Sequence, residues 1–187
     1  MKQTAKIILL CMALAILYGI VHNQFTVRIS LEYFTIGHRA LISSTSPTLM
    51  GIAWGVHPNW WVGLSMGVLL AITGRAGKWP KRNARSLVKP LLLLFLVSGI
   101  ASATAGILGY RLANSGTLGL YGPLASSVPA SGHAAYISAL WMHTASYTVG
   151  TMGALIISLL VFTGRIACGD ANGSGTEEQI QKQAYHP

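Results

Sequence analysis

The stretch LMGIAWGVHPNWWVGLSMGVLLAIT, Leu49–Thr73, holds no Asp, Glu, Lys or Arg. A helix needs about 20 predominantly apolar residues to cross a bilayer, and this run is long enough. Ser46-Pro47 ahead of it reads as an N-cap followed by proline at the first helical position, which places a helix over 47–74. The glycines keep a four-residue beat: Gly51, Gly55, Gly63 and Gly67, with Asn59 in the gap and Ala71 extending the row. Residues four apart share a helix face. A face of small residues lets a second helix approach closely in lipid, where packing replaces the missing hydrophobic drive. The stripe therefore predicts a close helix contact, within the chain or between copies. His57-Pro58 interrupts the run and predicts a kink. Trp60 and Trp61 fall well inside the span, where an interfacial aromatic belt does not explain them.

Three further apolar runs flank this one: Ile7–Gln24, Leu87–Tyr110 and Tyr136–Thr163. They predict helices over 4–24, 87–112 and 134–164. The expected fold is an all-α integral membrane domain over residues 1–165, with four transmembrane helices and a short interfacial segment after the first. Residues 166–187 are polar and expected to form a disordered tail. Composition agrees. The chain has 187 residues, 52% of them hydrophobic and 9% charged, and its mean hydropathy is +0.52. A soluble domain carries about 25% charged residues. No polar stretch is long enough for a second domain.

Charge placement sets the expected orientation. Lys2, Lys6, Arg75, Lys78, Lys81, Arg82, Arg85, Lys89, Arg165 and Lys182 fall on one side of the four spans, and only Arg28, Arg39 and Arg111 on the other. The positive-inside rule puts both termini in the cytoplasm. The segment Arg75–Lys89 then faces anionic lipid headgroups. The net charge of +9 is explained this way and not by nucleic acid. The first helix reads as an uncleaved signal anchor, since no small-residue cleavage site follows it. Cys11 lies in that helix and Cys168 beyond the last one, so a disulfide between them is not expected.

Chemistry-bearing residues gather near one end. In RISLEYFTIGHRA, Arg28–Ala40, Glu32 is the only acidic residue before Asp170. Helix one carries Cys11, Ala15, Tyr18 and His22 on one face. Helix three has Ser98, Ser102 and Gly106 in a row, and helix four has His143, Ser146, Gly150 and Gly153. The segment Arg28–His38 is expected to fold back over the end of the bundle. There Glu32 would meet His22, His38 or His143, directly or through a metal. Imidazole and carboxylate ligands suit zinc, iron or manganese, although no HxxxH, HxH or ExxH spacing supports the set. Alternatively, His22, His57 and His143 are candidates to ligate one haem between helices. The plainest reading is structural. Histidine and aromatic residues are ordinary at a membrane interface, and Arg28 can pair with Glu32 four residues on.

No P-loop, dinucleotide fingerprint or catalytic carboxylate pair is present. The sequence leaves open whether the chain is an enzyme or transporter. It ranks a structural or partner-binding membrane protein first and a metal-binding one second. A homo-oligomer or a membrane-protein partner fits the first.

Five motifs carry a resemblance: YGIVHNQFT (Tyr18–Thr26), EYFTIGH (Glu32–His38), SPTLMGIAWGV (Ser46–Val56), WWVGL (Trp60–Leu64) and WMHTASYTVG (Trp141–Gly150). In this combination the chain resembles a family of small, uncharacterised four-helix bacterial inner-membrane proteins. Members often have Asp where Asn23 stands and Pro where Arg39 stands. The resemblance implies a four-helix inner-membrane fold and brings no established activity. It groups Tyr18, His22, Thr26, Arg28, Glu32, Tyr33, Phe34, His38 and His143 into one shared feature.

Overall fold

The computed structural model describes the backbone of residues 2–184 and the side chains of residues 2–169. The chain is helical, with no strand among the described residues. Its elements are α1 (Lys2–Ile29), α2 (Glu32–Thr35), α3 (Pro47–Val56), α4 (Asn59–Arg75), α5 (Ala84–Asn114), α6 (Pro123–Ser127), a 3₁₀ turn (Ala130–Gly132) and α7 (His133–Ala184). Three helical segments are long and apolar enough to cross a membrane: α1, α5 and the stretch 130–169 that contains most of α7. Of the tail expected to be disordered, side chains beyond residue 169 and backbone beyond residue 184 lie outside the described residues. The backbone of α7 is helical through Ala184.

The apolar run Leu49–Thr73 is broken at His57-Pro58, so that α3 and α4 have 10 and 17 residues. Proline lacks the N–H that would continue the ladder. The two pieces nevertheless follow one line along α1. A Cβ added at Gly51 would meet Gln24, and one at Gly55 would meet Ile20. At Gly63 it would stand 2.6 Å from the Met12 Cα, and at Gly67 2.7 Å from the Ile8 Cα. Each step forward along the stripe is matched by an equal step back along α1, so the pairing is antiparallel and unbroken across the proline. The small-residue face predicted from the sequence is thus filled by this chain's own first helix. Asn59, in the gap of the stripe, donates to the Gly55 carbonyl at 2.9 Å and lies against Gly19. Trp60 and Trp61 point the other way and are exposed.

A second antiparallel pair, α5 with α7, closes over Gly106 and Gly109, which lie under Met142 and Trp141. Ser138 donates to the Gly106 carbonyl at 2.9 Å. The two pairs meet with α1 and α5 parallel: Tyr18 lies beside Gly99 and His22 beside Ser102. One apolar core, around Cys11, Leu70, Leu91 and Ala154, fills the basic end and middle of the bundle. A second, around Val27, Phe34, Met50, Tyr136 and Ala139, fills the end that α2 covers. Cys11 and Cys168 are both free.

Helix ends run past their sequence-based limits where side chains support the backbone. The first helix, expected to stop near residue 24, continues to Ile29. There Asn23 donates to the Gly19 carbonyl and Arg28 to the Gln24 carbonyl, bonds that reach back one turn. The third begins at Ala84 because the Asn83 side chain accepts the Ser86 N–H at 2.9 Å, a standard N-cap.

Candidate functional site

α2 is one turn long and lies across the end of the bundle against α7. The expected fold-back of Arg28–His38 takes this form, but the residue that enters is not Glu32. Tyr33 and Phe34 are the buried members of α2. The Tyr33 ring stacks on His143 with centroids 4.7 Å apart, and Phe34 meets the same imidazole edge-on at 5.7 Å. His143, 7% exposed, meets His22 of α1 edge-to-face at 4.7 Å. His38 turns back so that its Nδ1 lies 2.8 Å from the Tyr33 carbonyl, and its ring packs against Trp54 at 5.0 Å. Tyr18, below His22, shares a 2.7 Å hydrogen bond with Ser146. Burial raises the Tyr33 phenol above its usual range, and the phenols of Tyr147 and Tyr136 act in the same direction.

Glu32 stands apart. It accepts a hydrogen bond from Ser30 at 3.0 Å and lies near Gly132. Arg28 does not pair with it. The guanidinium bonds Gln24 and, at 2.8 Å, the Thr48 hydroxyl, tying the end of α1 to the start of α3. The set His22, Glu32, His38 and His143 is therefore split. Only His22 and His143 touch, and His38 reaches them through Tyr33. Among the described residues no three His, Cys, Asp or Glu side chains are grouped so as to hold a metal ion. The haem expectation meets a steric objection. A metal between two imidazoles takes bonds of about 2 Å on either side, which spreads the rings further than the observed 4.7 Å. His57 is exposed and its ring lies 6.5 Å from Trp54, so it does not supply the alternative ligand in this arrangement.

Beside this cluster a cleft of about 630 Å³ opens between α1 and α5. Its walls are apolar and largely exposed, including Val21, Phe25 and Ile107. His22 from the α1 wall and Ser102 from the α5 wall form a polar step between them, the Ser102 hydroxyl 3.5 Å from the His22 Nδ1. Tyr18 and Gly99 line its end toward the middle of the bundle, and Ile29 and Arg111 its end toward α2, here called the mouth. The Nε2 atoms of His22 and His143 are buried without a hydrogen-bond partner. Such orphans are uncommon and cost free energy. Here they are covered by aromatic rings.

Sequence reasoning named His22 and His143 as candidates and reached Tyr33 and Phe34 only through the resemblance; it missed Trp54, which packs on Phe34 and His38. An aromatic residue in an apolar chain carries no distinguishing signal. It also missed the cleft, because a gap between parallel helices depends on how two hairpins splay. No family model, curated protein or solved structure matches this chain.

Proposed function

We propose that this chain is a four-span protein of the bacterial inner membrane, with both termini cytoplasmic, that holds a membrane-dissolved amphiphile in the α1/α5 cleft. The broken rod α3–α4 supplies the fourth span, since its two pieces share one register along α1. The asymmetry of Lys and Arg supports the orientation, with the α4–α5 connection against anionic headgroups and α2 on the outer face. The observation that carries the binding role is the cleft itself. Small-molecule sites are largely apolar, about 300–1,000 Å³, with a few polar groups, and this one, at about 630 Å³, has that size and lining. Its apolar rim gives a ligand a lateral route from the bilayer. The glycine stripe, which could have offered a docking face to a partner, is occupied by α1.

The test is to purify the chain in mild detergent, extract it with organic solvent and identify what is retained by mass spectrometry. A near-stoichiometric amphiphile is expected, lost from Ala103→Trp, which places an indole in the cleft wall. An identical, scattered lipid profile from both proteins refutes the binding role.

A further inference from the structure

We propose that the cleft's ligand carries a single anionic head, a carboxylate or a phosphate, and that Arg111 is the group that binds it. This rests on the amphiphile reading above and adds the chemical class.

Three cations lie toward the α2 end: Arg28, Arg39 and Arg111. Arg28 is committed to Gln24 and Thr48. Arg39 sits in the loop after α2 and is not part of the cleft. Arg111 stands in the last turn of α5, is exposed, and lines the cleft mouth. Among the described side chains no carboxylate bonds it. Glu32 is the only carboxylate among the described side chains, and it lies with Ser30 and Gly132. A guanidinium presents a planar fork of donors matched to carboxylate and phosphate oxygens, and beside low-dielectric walls that interaction strengthens.

The length of the cleft fits one apolar chain behind that head. From Gly99 to Arg111, α5 rises about 18 Å at 1.5 Å per residue. The facing wall, Tyr18 to Ile29, rises about 16 Å. Both are close to one leaflet of a hydrocarbon core about 30 Å thick. A chain lying along this wall, with its head at Arg111, would place that head at the interface. The competing account is that Arg111 touches bulk headgroups in the ordinary way of arginines at helix ends.

The experiment uses the full-length chain in nanodiscs of uncharged lipid, with radiolabelled palmitate as probe and hexadecanol and lysophosphatidate as competitors. Saturable palmitate binding is expected. It should weaken about tenfold or more in Arg111→Gln, recover in part in Arg111→Lys, and vanish in Ala103→Trp. Hexadecanol, with the same chain and no charge, should compete at least about tenfold less well. Lysophosphatidate displacing palmitate more strongly identifies phosphate as the preferred head, and the reverse identifies carboxylate. Either supports the proposal. If hexadecanol competes as well as palmitate and Arg111→Gln binds normally, while Ala103→Trp still abolishes binding, the anionic head is wrong and the cleft stands. If Arg111→Gln weakens binding and Ala103→Trp does not, the arginine acts on bulk headgroups and the proposal falls. If no saturable binding occurs, both readings fall.

Discussion

At the residue scale, Gly55 makes the closest approach to another helix's backbone among the described glycines. A Cβ there would run into the backbone of Ile20, which cannot move without moving α1. Gly99 is the contrast: its nearest neighbour would be the Tyr18 ring edge at 4.0 Å, an ordinary contact. Gly55→Ala should therefore lower stability by about 1–3 kcal/mol, the usual cost of overpacking. Gly99→Ala should be neutral. Thermal unfolding in detergent checks the pair, and equal behaviour would contradict the packing. This contrast was half legible in the sequence. The four-residue beat marks Gly55 as part of a face, whereas nothing in the beat names α1 as the surface it meets. Tyr33 carries a second prediction at this scale. Its phenol is held above its ordinary value of about 10, so the folded protein keeps the proton that the unfolded chain releases. Stability is then fully present below about pH 10 and lost as pH rises above it. Tyr33→Phe should flatten that alkaline decline, read as thermal midpoints across about pH 8–11. An unchanged slope would mean that Tyr33 is not the group responsible.

At the scale of elements, the α4–α5 connection gathers around a side chain from α7, with Arg75 adding a 2.7 Å bond to the Arg82 carbonyl. Arg165, 1% exposed, donates to the backbone carbonyls of Thr73, Ala76, Trp79 and Pro80. These include carbonyls at the end of α4 that its own helix leaves unpaired. Trp79 seals the arrangement edge-on to Phe162 at 5.7 Å. In sequence Arg165 is one more cation after the last apolar run, and its role depends on where α7 passes the loop, which local pattern does not encode. The same limit explains Glu32. A lone carboxylate beside lipid draws attention because it is costly there. Its partner is the hydroxyl two residues earlier, a local solution that makes long-range convergence unnecessary. Arg165→Met should leave several carbonyls unpaired and cost about 2–4 kcal/mol. Arg165→Lys should recover only part, because an ammonium lacks the planar fork. Trypsin should cut at Lys78, Lys81 or Arg82 faster in both variants. Cutting at the native rate in Arg165→Met would show that the loop is held by something else.

At the scale of the whole molecule, the question is how many times the chain crosses the bilayer. Three helical segments qualify by length and hydropathy, and residues 47–75, divided at Pro58 into helices of 10 and 17 residues, are not among them. Length alone would leave 47–75 as two short helices lying wherever the surface allowed. Register is what supports the four-span proposal: the two pieces pair with α1 from Gln24 back to Ile8 without a break. An even number of crossings puts Lys2 and Cys168 on the same side, and an odd number separates them. The native thiols make this measurable without new cysteines, since Cys11 is buried and Cys168 exposed. A membrane-impermeant maleimide should leave Cys168 unlabelled in intact spheroplasts and label it in inverted vesicles. A protease-cleavable tag fused before Lys2 should show the same sidedness. Labelling of Cys168 from outside, with the tag still protected, would establish three crossings. It would then place α3–α4 against α1 as a partly inserted pair and move the cleft mouth relative to the membrane surface.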